Sequence, residues 1–213
     1  MRASDLYKAL SNEIKIDPRT WWPAYGSFWV VIDSILAQNT KFENAFKARQ
    51  NLENSGIKSL ADVAKIPVSE LAILIKPAGF YNTKAKRLNE LCKGICADFG
   101  DFENFKENVS KEWLISRKGM GLESVYSVLC YACKRAYMVY DKYTYSLLFA
   151  LNYEFEDYEE AREFLQSALE LENGLSDELK CAHFHALIVE FCKAHLKGKV
   201  FDEKANEFFK IFL

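Results

Sequence analysis

Proline and glycine are scarce in this chain, 4 and 9 among 213 residues, which leaves too little turn chemistry for a protein built of many short strands. No apolar run approaches the roughly 20 residues a membrane-spanning helix needs. Residues 1–15 also lack the apolar core of a secretion signal. The sequence therefore reads as cytoplasmic and not membrane-bound. An excess of one charge is missing too: 28 basic side chains face 30 acidic ones, a net charge of -2. No global field attracts a polyanion, so any nucleic-acid contact has to be local. The six cysteines, Cys92, Cys96, Cys130, Cys133, Cys181 and Cys192, lie within helical patterns, which suits reduced, buried thiols rather than a disulfide scaffold. Cys130 and Cys133 with Cys92 and Cys96 do not make a convincing zinc site, because no turn presents either pair. His183 and His185 stand two apart on a helix and point to different faces, which reads as structural.

What is abundant is apolar and aromatic. Half the residues are hydrophobic, and there are 16 Phe, 11 Tyr and 4 Trp, enough to bury a large core and to leave flat side chains over for stacking on flat ligands. The apolar residues recur at helical spacing: Phe28, Val31, Ile32 and Ile35 share a face, as do Leu88, Leu91 and Ile95, and Tyr158, Ala161, Leu165 and Ala168. The expected fold is all-α, about ten helices, without a competing strand. Ser59 with Asp62, Ser69 and Asn82 are expected helix starts, and Gly56, Gly100 and Gly174 stops.

The most informative segment runs from Trp113 to Leu129. An amphipathic helix enters it, Gly119-Met120-Gly121 turns the chain after Lys118, and an apolar-periodic helix leaves. This is the pattern of a helix-hairpin-helix. Glycines allow a tight turn and close approach to another backbone, and the amides opening the second helix carry partial positive charge. Such a turn cradles a phosphate by backbone amides and needs few basic side chains. Taken alone, Gly-Met-Gly could be an ordinary turn. About twenty residues on, however, Asp141 follows the short apolar run Ala136-Tyr137-Met138-Val139-Tyr140 and opens another helix.

Hairpin, apolar run and Asp at this spacing resemble the endonuclease III superfamily of DNA glycosylases. Two further stretches are similar to that family: Ile35-Leu36-Ala37-Gln38-Asn39-Thr40, and Gly79-Phe80-Tyr81-Asn82-Thr83-Lys84-Ala85-Lys86-Arg87-Leu88. The resemblance implies a helix-hairpin-helix glycosylase fold of two helical lobes with a cleft between them. One lobe is a six-helix barrel over residues 26–136, the other is formed by residues 1–25 and 137–213. It implies catalysis by Asp141 and DNA contacts at Gln38, Asn39, Lys84, Lys118, Gly119, Met120 and Gly121. It also implies room for a monovalent cation held by hairpin carbonyls when DNA is bound. The expected partner is double-stranded DNA containing alkylated bases, bound by a monomer in the bacterial nucleoid.

The departures from the family pattern are as telling. Bifunctional members carry a lysine in the helix after the hairpin, whose amine attacks the sugar. Here that position is Glu123, and a carboxylate cannot form an imine, so a monofunctional enzyme using water is expected. Iron-sulfur members end in four closely spaced cysteines. Only Cys181 and Cys192 stand in the C-terminal region, so no cluster, no other metal and no cofactor is expected. Trp21-Trp22-Pro23 and Phe42, just after Gln38-Asn39-Thr40-Lys41, closely resemble the 3-methyladenine DNA glycosylase III type, in which they line an aromatic slot for the flipped base. A modified lysine of that type has Leu187 at its matching place and is not carried over. An N3-alkylated adenine is cationic, so aromatic faces gain cation–π and stacking energy. Two other readings stay open: a glycosylase for oxidised or mismatched bases on the same fold, and a helix-hairpin-helix DNA-binding protein without catalysis.

Overall fold

A computed structural model describes residues 2–213. The chain divides at 22/23 and 133/134, three residues before the expected 25/26 and 136/137, into Pro23–Cys133 and a second unit of Met1–Trp22 with Lys134–Leu213. The second unit begins with α1 (Ala3–Glu13) and α2 (Pro18–Trp21), the latter capped by Asp17, with Pro18 at its first position.

The Pro23–Cys133 unit then holds α3 (Phe28–Leu36), α4 (Phe42–Asn54), α5 (Leu60–Lys65), α6 (Val68–Leu74), α7 (Tyr81–Phe99), α8 (Phe102–Asn108), α9 (Lys111–Ile115) and α10 (Leu122–Ser127). That is eight α-helices among the described residues where six were expected. The excess arises because Pro67 separates α5 from α6, and Asp101 and Ser110 cap fresh starts at α8 and α9. Ser59 caps α5 as expected. Ser69 and Asn82, however, lie inside their helices, which Pro67 and Phe80 precede. Val31, Ile32, Ile35, Leu88, Leu91, Ile95, Val125 and Leu129 are buried, and α3 packs against α7, α10 and the π-helical turn Val128–Ala132 that extends α10.

In the other unit follow α11 (Lys142–Ala150), α12 (Tyr158–Gln166), α13 (Asp177–His195) and α14 (Glu203–Phe209). Helix α13 packs on α1, α2 and α11. Its middle is buried on all sides, as an apolar helix without a polar face must be. The ring of Tyr7 stacks on Phe184 at 4.8 Å, and its hydroxyl pairs with His183 Nδ1 at 2.8 Å, so His183 is structural. One expectation fails: Leu196–Lys197 and Val200–Phe201 form a small antiparallel hairpin. Gly198, at φ 67°, permits its turn. Two-residue strands carry no alternation long enough to read in a sequence.

Candidate functional site

The hairpin lies in the Pro23–Cys133 unit. Gly119 has φ 89°, a conformation that calls for glycine, and a Cβ there would push against the flexible Arg87 side chain. Gly121 is different. Its φ of −83° suits any residue, and an added Cβ meets nothing within 4 Å. The fold does not require its missing side chain, whereas a backbone approaching from outside would. Met120 is buried and its amide donates to Arg117 O at 3.1 Å, so it anchors the turn from within. Lys118 is exposed on the turn. Glu123, also exposed, lies in the first turn of α10.

Behind the hairpin, Gln38 Nε2 donates to Gly119 O at 2.9 Å and to Ser124 Oγ at 3.0 Å. The Gln38 amide thus braces the turn, and Asn39, left-handed at φ 50° and exposed, is the residue presented beside it. Lys84 corrects the sequence reading. It is only 3% exposed, and Nζ donates to Leu36 O (2.7 Å), Thr40 Oγ1 (2.6 Å) and Ala78 O (2.9 Å). With its three hydrogens spent internally it cannot hold a phosphate, and burial pushes its amine down to about 8. Phe80 before α7 is left-handed at φ 44° with 75% of its surface exposed. Phe42, 52% exposed, stacks parallel on Phe46 with centroids 6.0 Å apart. It is therefore not a core residue.

In the other unit, the extended segment before Asp141 has its backbone satisfied by α12: Gln166 Oε1 accepts from Met138 N, Gln166 Nε2 donates to Ala136 O, and Tyr158 Oη accepts from Tyr140 N. This fixes Asp141 at the mouth of α11. Its Oδ1 caps that helix, accepting from Thr144 N and Thr144 Oγ1, both at 2.8 Å. Oδ2 lies 3.7 Å from His185 Nε2, ion-pair range but too long for a direct hydrogen bond. Burial opposes ionisation of Asp141, but His185 and the Thr144 amide and hydroxyl outweigh it and hold the carboxyl below the usual Asp range. One oxygen thus caps the helix while the other faces His185, and the carboxylate is held ionised.

Sequence reasoning took His185 for a structural residue and overlooked Glu190 and Lys193. Helix α13 brings all three to Trp21. The His185 ring stands edge-on to Trp21 at 5.7 Å, Glu190 Oε1 accepts from Trp21 Nε1 at 3.0 Å, and Lys193 Nζ bonds Glu190 at 2.8 Å while lying 5.7 Å over the indole. Trp22 meets Trp21 edge-on at 6.2 Å. Pro23 accepts from Arg49 through its carbonyl, at 3.1 Å. The only sequence signal for the α13 trio was their recurrence within about two turns of one helix. Among the described residues no three His, Cys, Asp or Glu side chains are grouped to hold a metal ion. Cys181 and Cys192 lie eleven residues apart on α13, about 16 Å along its axis, and do not fit a four-cysteine cluster.

An all-α chain with a glycine hairpin and, downstream, a buried capping carboxylate defines the helix-hairpin-helix DNA glycosylase class. The family described as HhH-GPD superfamily base excision DNA repair protein matches residues 32–171, and the chain belongs to that family. It is a DNA glycosylase, with DNA as its partner. The chain is 34% identical over 189 residues to a Methanocaldococcus jannaschii protein assigned as a DNA repair glycosylase, covering 85% of this chain and 83% of that one. The crystal structure of H. pylori 3-methyladenine DNA glycosylase bound to 1,N6-ethenoadenine is similar with TM-score 0.87 and 40% identity, over 92% of this chain and 100% of that one. A trapped endonuclease III–DNA covalent intermediate shares the fold, with TM-score 0.70 at 16% identity over 95% of this chain and 91% of that one.

Proposed function

We propose that the protein is a monofunctional glycosylase that removes alkylated purines, chiefly 3-methyladenine, from double-stranded DNA. The observation that carries this reading is the divided Asp141 carboxylate, with Oδ2 beside His185, whose ring meets Trp21. The similarity to the H. pylori enzyme supports the choice of base. In this mechanism the nucleotide is flipped, and the C1′–N bond breaks with its electron pair going to the base. A cationic 3-methyladenine leaves neutral, so no acid is needed to protonate it. The ionised Asp141 stabilises the positive charge on the sugar and takes a proton from the water that attacks C1′. His185 acts as a positioning residue, holding Oδ2 in place. Phe80, a strained and exposed ring in the hairpin's own unit, suits insertion into the base stack that flipping opens.

The direct test is to incubate the protein with methylated duplex and identify the released bases. Free 3-methyladenine, strands that break only on heat or alkali, and no borohydride-trapped adduct are expected, because Glu123 offers no amine. A trapped adduct, or release of oxidised pyrimidines instead, overturns the proposal.

Phe42 separates lesion stacking from fold support. Since half of its surface is exposed, Phe42→Ala should leave the melting temperature within a few degrees and cut kcat/KM by about 1 to 3 kcal/mol, with Phe42→Trp retaining most activity. Full activity in Phe42→Ala would remove this ring from the base pocket.

A further inference from the structure

We propose that Arg87 is a DNA-phosphate contact that works together with the Gly119 turn. It stands one helical turn beyond Lys84 on α7, and the two bases have opposite fates. Lys84 turns inward, while the Arg87 side chain lies across the hairpin backbone: the Cβ that Gly119 lacks would fall 2.4 Å from Arg87 Cδ, 2.7 Å from Nε and 3.0 Å from Cζ. The glycine is thus the trough in which this guanidinium rests.

Among the described residues, none pairs with the charge held there. Arg87 Nε is enclosed and has no hydrogen-bond partner, and among the described residues no carboxylate lies within ion-pair distance of the guanidinium. The side chain as a whole is only half-buried, which leaves its terminal NH2 groups as the part open to solvent. Other arginines of the unit are engaged: Arg49 pairs with Asp33 at 3.0 Å and Glu53 at 2.9 Å, and Arg117 lies over Trp113 at 4.1 Å. Enclosing a cation without a counter-charge is costly, and such a group calls for an explanation. A phosphate supplies it. The planar guanidinium fork matches phosphate oxygens, exposed Lys118 adds a second charge on the same turn, and a chain of net charge -2 must concentrate its cations where a polyanion binds. Such a contact fixes position and carries no base information.

This inference rests on the hairpin being the DNA-facing turn, and the experiment tests the two separately. Affinity for an undamaged duplex is measured by fluorescence anisotropy across a salt series for the wild type, R87Q, R87M, R87K and G121A, whose added Cβ meets no protein atom. R87Q and R87M should bind about tenfold more weakly at low salt, with the slope of log K against log salt shallower by about 0.9, the loss of one phosphate contact. R87K should keep the slope and lose only a few-fold in affinity. R87M preserves the stem over Gly119, so it decides the matter should R87Q melt early. A wild-type slope in R87M overturns the Arg87 assignment and leaves the side chain as filler over the glycine. If G121A weakens binding while R87M does not, only that assignment fails. If G121A binds as the wild type does, the hairpin is not the DNA-facing turn.

Discussion

Asp141→Asn should lower base release by two to four orders of magnitude while DNA binding stays equal or becomes slightly tighter. The structure makes this substitution unusually clean. Asp141 Oδ1 caps α11 through Thr144 N and Oγ1, and Asn caps a helix about as well as Asp does. The fold therefore loses little, and the melting temperature should move by no more than a few degrees. What disappears is the carboxylate's charge, which its second oxygen presents to His185 at 3.7 Å. Removing a negative charge from a site that meets an anionic polymer does not weaken binding, so only the transition state suffers. Single-turnover base release, anisotropy and a thermal melt on one preparation check all three statements. Activity within a few-fold of wild type would reduce Asp141 to its capping role and leave the family's DNA-binding function without the proposed chemistry.

The hairpin and Asp141 were legible because both are local. Two glycines around one apolar residue, and an Asp after a short extended run, need no knowledge of what folds against them. Tertiary relations were not legible. His185, Glu190 and Lys193 reach Trp21 across more than 160 residues of chain, and nothing in their spacing names an indole as their target. The aromatic positions were visible as residue types, yet only the structure separates exposed Phe42 and Phe80 from buried Phe105 and Phe184. Lys84 and Arg87 show the limit most directly. They stand one turn apart in the same motif, and the residue expected at the DNA surface is the one the fold buries. A lysine stem can carry its ammonium to water or to three inward acceptors, and the choice depends on where the ends of α3 and the loop at Ala78 happen to meet it.

That choice predicts a large stability effect. Lys84→Met, which keeps the stem and deletes the ammonium, should destabilise the fold by roughly 2 to 4 kcal/mol, because three charge-assisted hydrogen bonds are lost and Leu36 O and Thr40 Oγ1 lose their buried donor. Thr40 Oγ1 still donates to Ala78 O at 2.6 Å, so that carbonyl is not orphaned, and the loss stays below the sum of three separate bonds. The pH dependence has a definite sign. Burial lowers the folded-state value from 10.5 to about 8, so between these limits the unfolded chain holds a proton that the folded chain has released. Wild-type stability should therefore gain from this group as pH rises from about 8 to 10.5, and below 8, with both states protonated, the gain is absent. Lys84→Met has nothing to titrate there, so its deficit should widen through that window. Denaturant melts of both proteins at pH 7 and pH 9.5 measure this, beside the salt slope of DNA binding, which should match the wild type in any folded fraction. A variant with wild-type stability and a shallower salt slope would return Lys84 to the DNA surface.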